Sequence, residues 1–214
     1  MKFSKCFTVP ESDKITESYK RRNNAVFANI SDEKMENIIS SFIEFLDEPC
    51  FFLIEVPLNK KDEEAIRKKD TDPYHKVEYF IDNIDKLKCF ELFNEYGRQI
   101  IDSGLYGFGF GSIKSHDEIY VSRYNIVHFY SDNDITSVIE ILNRNDIFEN
   151  NEFITAYDIF SREKPGIIEK KSDFDPIDFI NKHKYLGIYP SRIVVDNWGD
   201  IICPKELINF TLNL

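Results

Sequence analysis

The chain has 214 residues, 42% of them hydrophobic and 30% charged, and its formal net charge is −11 at pH 7. This length favours one domain over residues 1–214, and no apolar stretch approaches the roughly 18 residues that a membrane-spanning helix needs. Acidic residues exceed basic ones in both halves, 21 to 16 in residues 1–107 and 17 to 11 in residues 108–214. The composition therefore argues against nucleic-acid binding, and the absence of a secretory signal from the first ten residues favours a cytoplasmic location.

The first half of the chain begins with residues 1–30, whose weak periodicity predicts an extended N-terminal lead-in. Apolar residues then recur three and four positions apart, which predicts an amphipathic helix over 31–48. The short apolar run 50–56 predicts a buried strand. Residues 58–73 mix acidic and basic side chains so densely that they favour a solvated loop or an exposed helix.

The middle of the chain predicts a strand over 75–81 and a long helix over 82–103. Three further strands, over 105–112, 117–121 and 125–130, are separated by short polar connections and predict an antiparallel meander.

The last third predicts a helix from residue 134, a strand-like stretch over 153–157, a helix over 175–187 and a final strand over 188–195. The complete order of elements is typical of an α+β fold, with a mainly antiparallel sheet and helices packed on one of its faces.

The sequence Gly107-Phe108-Gly109-Phe110-Gly111 alternates aromatic residues with glycine. A phosphate-binding loop would need a strand before the glycines and a helix after them. Here a helix precedes them and strands follow, so the pattern favours a bent strand whose glycine face lets another backbone or a helix approach closely.

Candidate catalytic residues are sparse. No serine or cysteine stands in a nucleophile motif, and the four cysteines, all far apart in apolar surroundings, predict reduced, buried thiols. A hydrolase site beside the glycine-rich strand would use four residues: His116, Asp117, Glu118 and His128. Three of them, His116, Glu118 and His128, are also the set to test for a metal, but their spacing matches no metal motif, so we expect no cofactor.

Acidic residues are densest between positions 132 and 152, where Arg144 is the one basic residue. Such a stretch is either solvated surface or a surface that recognises a basic partner. The residues in question are Asp132, Asp134, Glu140, Asp146, Glu149 and Glu152.

Together these patterns favour a protein-binding module over an enzyme. The concrete form of this hypothesis is a bacterial immunity or antitoxin-like protein that neutralises a basic protein partner. The alternative is the hydrolase with a histidine and carboxylate site beside the glycine-rich strand.

Overall fold

The computed structural model describes residues 1–67, 69, 74–132, 135–196 and 201–202, with backbone alone for 192–196 and 201–202. Contacts divide the chain into two compact units. The first contains Met1–Phe52 and Asn83–Phe174, and the second contains Leu53–Asp82 and Asp175–Leu214. The expectation of one domain stays a prediction.

The secondary structure alternates short strands with helices along the chain. The strands are β1 (Phe7–Thr8), β2 (Ser18–Arg22), β3 (Ala25–Asn29), β4 (Cys50–Pro57), β5 (His75–Ile84), β6 (Gly107–Ser112), β7 (Glu118–Val121), β8 (Ile126–Tyr130), β9 (Ile167–Ile168), β10 (Tyr189–Asp196) and β11 (Ile201–Ile202). The helices are α1 (Asp32–Phe45), α2 (Lys60–Ile66), α3 (Lys86–Leu92), α4 (Arg98–Ser103), α5 (Thr136–Arg144), α6 (Ala156–Ile159) and α7 (Pro176–Lys182). A π-helical segment, Phe93–Gly97, joins α3 to α4.

The sheet of the first unit has the strand order β4-β6-β7-β8-β3-β2. The pairs from β6 to β2 are all antiparallel, which confirms the predicted meander and the α+β class. In the second unit the order is β11-β10-β5-β4, and β10 is antiparallel to both of its neighbours. The chain passes from the first unit to the second within β4, after Phe52.

One face of the first unit's sheet is covered by helices, as predicted. Phe129 of β8 lies 5.6 Å, between ring centroids, from Phe42 of α1. Phe93 of the π-helical segment packs against Phe108 and Phe110 of β6, at 6.4 and 6.1 Å. These rings are almost completely buried, so the alternation of β6 points its aromatic residues into the core.

The expected N-terminal lead-in is wrong for residues 18–29, which form the antiparallel hairpin β2–β3. Asn23 makes the turn with a positive φ of 52°, a conformation that asparagine tolerates. Neither strand shows a regular alternation of apolar and polar residues. Strand β2 ends in the exposed cations Arg21 and Arg22, whereas Ala25, Val26 and Ala28 of β3 are all buried.

The predicted strand over 153–157 is also wrong, because helix α6 begins at Ala156. The Thr155 side chain and the Asp158 carboxylate form a capping box that starts the helix. In the second unit, residues 60–66 form a helix, α2, in which Asp62 and Glu63 are nevertheless buried.

The glycines of β6 make room for aromatic rings. A side chain at Gly107 would collide with the Tyr120 ring, and one at Gly111 would collide with the Phe51 ring. The close approach expected from another backbone or a helix is therefore made mainly by aromatic side chains, with the Asp117 carbonyl also close to Gly111.

A polar network fixes the N-terminus of the first unit to two helices. The Arg98 guanidinium donates to Asp32 at 2.9 Å and to Asp102 at 2.7 Å, and the Lys5 ammonium lies 2.9 Å from Asp102. Burial acts to raise the pKa of Asp102, but hydrogen bonds from Arg98 and Lys5 outweigh it and lower that pKa.

None of the described helices is both long and apolar enough to cross a lipid bilayer.

We expect Gly111→Ala to lower the free energy of unfolding by about 1–3 kcal/mol. The new Cβ would lie 2.8 Å from the backbone carbonyl oxygen of Asp117, which cannot move without disturbing the β6–β7 hairpin. Gly107→Ala is the matched comparison and should cost less, because it meets the mobile end of the Tyr120 side chain. Urea unfolding measures both, and a Gly111→Ala protein as stable as the wild type would contradict this packing.

Candidate partner-binding surfaces

Two of the predicted acidic residues form ion pairs with arginines of the chain, and a third, Asp132, contacts a histidine. Asp132 lies 3.0 Å from His116 Nδ1, and Glu140 accepts from Arg144 at 3.1 Å. Glu149 accepts from Arg21 Nε and Nη2 at 2.9 and 2.5 Å. These pairs neutralise part of the charge on which the predicted surface depends.

The other acidic residues of the stretch differ in what the structure shows. Asp146 and Glu152 are exposed and make no ion pair with any described residue. Asp134 lies outside the described residues. The predicted acidic surface stays a prediction. Among its described residues, Asp146 and Glu152 are the ones whose charge is not paired with another described residue.

Glu149 belongs to a segment, residues 148–150, that runs along the outer edge of β2. The Tyr19 amide donates to the Phe148 carbonyl at 3.0 Å, and the Asn150 amide donates to the Tyr19 carbonyl at 2.8 Å. Tyr19 and Glu149 thus form a parallel bridge. The side-chain hydrogen bond from Arg21 lowers the pKa of Glu149.

The four residues of the hydrolase hypothesis have different surroundings. His116 lies in the β6–β7 turn, two-thirds exposed, beside Asp132. Asp117 is buried: Ser115 donates to its Oδ2, and its Oδ1 has no hydrogen-bond partner among the described residues. Glu118 and His128 lie on one face of the sheet. His128 of β8 is paired with Tyr120 of β7, and Glu118 is two residues before Tyr120, so all three side chains share that face.

An aromatic group surrounds His128 on this face. The Phe27 and Tyr120 rings lie 5.0 and 5.8 Å from the imidazole, and Tyr130 Oη lies 3.4 Å from its Nδ1. Burial and the charge of Glu118 raise the pKa of Tyr130. The sequence does not predict this group, because it forms only through the strand register, which places Phe27 of β3 and Tyr120 of β7 on either side of His128.

Metal and thiol chemistry find little support in the described residues. No group of three or more histidine, cysteine, aspartate or glutamate side chains among them could hold a metal ion. Cys6, Cys50 and Cys89 are buried and unbridged, as predicted, and burial raises the pKa of each thiol. Cys203 lies outside the described residues.

Exposed apolar residues of three neighbouring segments, which we call the Phe45 patch, occur near the end of α1. It consists of Phe45, Pro49, Leu87 and Ile113. Leu87 is 73% exposed, and Phe45 and Ile113 are 37% and 39% exposed.

Hydrogen bonds hold the three parts of the Phe45 patch together. The Lys86 ammonium donates to the Glu44 carbonyl, and the Lys86 amide donates to the Glu48 carboxylate, both at 2.9 Å. On the other side, the Ile113 amide donates to the Pro49 carbonyl at 3.0 Å. The end of α1 therefore lies between the start of α3 and the β6–β7 turn.

Acidic residues flank the residues of the Phe45 patch in the sequence. Four exposed acids, Glu44, Asp47, Glu48 and Asp85, lie next to its apolar residues in the chain. Three lysines lie nearby, and each is engaged: Lys86 as described, Lys88 with Glu91, and Lys114 with Asp47 at 3.3 Å. An apolar centre with a charged rim is the usual anatomy of a protein interface.

We expect the Arg21–Glu149 pair to make stability depend on pH in a defined direction. Because the folded pKa of Glu149 is lowered, its contribution to stability is complete above the ordinary pKa of 4.5 and is lost as the pH falls through the lowered value. Glu149→Gln should therefore unfold at lower urea than the wild type at pH 7, and the gap should close on acidification. The same gap at every pH would show that the charge of Glu149 is not involved.

Comparison with known proteins gives no match. No family model, no curated protein and no solved structure aligns significantly with this chain. The functional conclusion therefore rests on the geometry of the chain itself.

Proposed function

We propose that this protein is a cytoplasmic protein-binding module that neutralises a basic protein partner, in the manner of a bacterial immunity or antitoxin protein. The observation that carries the proposal is the Phe45 patch, because it combines exposed apolar anchors with an acidic rim. Large apolar side chains at the centre of an interface supply most of its affinity.

Charge supports a basic partner. The net charge of −11 attracts a cationic protein over a distance of about 10 Å at ordinary ionic strength. Exposed charge pairs gain little affinity, so the acidic rim should speed association and favour basic partners. Asp146 and Glu152, which form no ion pair with described residues, would add to this attraction.

The experiment uses the chain as bait in extract from its native host and compares three proteins. Leu87→Arg places a cation at the centre of the Phe45 patch without disturbing the core, because Leu87 is 73% exposed. Tyr185→Arg is the matched control, since Tyr185 is also 73% exposed but belongs to the second unit.

We expect a basic protein to bind the wild type and Tyr185→Arg, and to bind Leu87→Arg at least about tenfold more weakly, which is 1.4 kcal/mol. Its association rate should fall as salt is raised. Equal binding to all three baits would contradict the assignment of the Phe45 patch, and retention of no basic protein would contradict the proposed function.

A hydrolase is the second candidate, supported by the shared face of Glu118 and His128. In that role His128 would act as the base, with Glu118 orienting the substrate or the imidazole. We expect this candidate to show hydrolysis of a nitrophenyl ester or phosphate that His128→Asn and Glu118→Gln both abolish. Activity that survives both substitutions, or no activity in the wild type, would argue against it.

A further inference from the structure

The outer edge of β2 carries a cluster of positive charge in an otherwise acidic chain. β2 is the last strand of the first unit's sheet, and it ends in three consecutive cations, Lys20, Arg21 and Arg22. An edge strand presents backbone N–H and C=O groups that a second extended chain can bind. The edge is therefore a place where an acidic strand would meet both hydrogen-bonding groups and opposite charge.

The chain's own residues 148–150 make the contacts that such a strand would make. Two backbone hydrogen bonds join Tyr19 to this segment, and the Glu149 carboxylate accepts both hydrogen bonds of the Arg21 fork. Main-chain pairing along an edge, combined with one side-chain contact for specificity, is the pattern of peptide recognition by strand addition. A two-pronged arginine–carboxylate contact is a strong and directional one.

The contacts between residues 148–150 and β2 are largely exposed, although Ile147, directly before them, is buried. Phe148 is 57% exposed, so it adds little apolar packing, and Arg21 and Glu149 are 49% and 35% exposed. Exposed ion pairs contribute little to stability, and exposed backbone hydrogen bonds are among the first to open. A competing strand could therefore displace residues 148–150 without unfolding the sheet.

Positive charge remains on β2 beyond what Glu149 neutralises. Lys20 and Arg22 form no ion pair with any described residue, and the Arg22 guanidinium lies over the Phe27 ring at 5.5 Å from its centroid. An incoming strand with two or more carboxylates would therefore find more complementary charge than Glu149 alone uses.

We infer that the β2 edge is a docking site for an extended, acidic segment of a partner protein, which pairs with β2 in place of residues 148–150. This site is independent of the proposed function, because it uses other residues and the opposite charge from the Phe45 patch.

The probe is a synthetic peptide with the sequence of residues 147–152, Ile-Phe-Glu-Asn-Asn-Glu. Binding to the full chain is followed by the NMR shifts of the Tyr19 and Arg21 amides. In the wild type the tethered segment competes at a high effective concentration, so we expect weak binding. Glu149→Gln weakens that competitor and should bind the peptide about three- to fivefold more tightly.

Three comparisons make the result specific. Glu152→Gln removes the same charge from the same stretch and should bind as the wild type does. Adding Arg21→Gln to Glu149→Gln should abolish the gain, and a peptide with glutamine in both acidic positions should bind at least fivefold more weakly. Asn150→Pro, which deletes the amide that donates to Tyr19, opens the edge by a second route and should repeat the gain.

The inference is overturned if neither Glu149→Gln nor Asn150→Pro binds the peptide more tightly than the wild type, or if the acidic and neutral peptides bind equally. In either case residues 148–150 serve only to cover the edge. Melting curves of each variant show that the chain remains folded, so that loss of binding is not mistaken for unfolding.

Discussion

The fold of the first unit depends on the burial of one face of an antiparallel sheet under aromatic rings. Phe108, Phe110 and Phe129 point from the strands into this layer, and Phe42 and Phe93 meet them from the helices. Aromatic side chains bury a large area each and prefer the tilted and edge-to-face contacts found here. Successive side chains of a strand point to opposite faces of the sheet. With these phenylalanines on the helix-covered face, Tyr120, His128 and the glycines of β6 therefore lie on the other face.

The elements predicted correctly are those in which the pattern and the environment agree. Helix α1 and strands β7 and β8 each have one side that is more buried than the other, so their apolar periodicity is visible in the sequence. Strand β6 is buried on both sides, and its alternation of aromatic residues with glycine shows the strand period instead. The hairpin β2–β3 was missed because an edge strand needs no apolar side and can end in cations. The stretch 153–157 was misjudged because the capping box of Thr155 and Asp158 outweighs its strand-like residues.

The candidate surfaces were harder to predict than the fold. Leu87 continues the apolar pattern of its helix, yet it is exposed, because periodicity shows which residues share a side of a helix and not whether another element covers that side. In the acidic stretch, by contrast, a residue expected to present a free charge is paired within the chain. Glu149 pairs with Arg21, which is 128 residues away in sequence, and the pairing of residues 148–150 with β2 brings them together.

The second unit is built from two segments that are far apart in sequence, Leu53–Asp82 and Asp175–Leu214. This arrangement affects the order in which the chain can fold during its synthesis. Strand β5 pairs with β10, and the register joins Phe80 to Tyr189, more than 100 residues later. On the ribosome β5 must wait for all the intervening residues before that pairing can form. Closing such a long loop is slow, because its entropy must be lost before the contacts form. The nascent chain thus exposes an incomplete sheet edge for several seconds at ordinary rates of translation, about 5–20 residues per second. During that interval, charge repulsion between copies of this acidic chain opposes their aggregation.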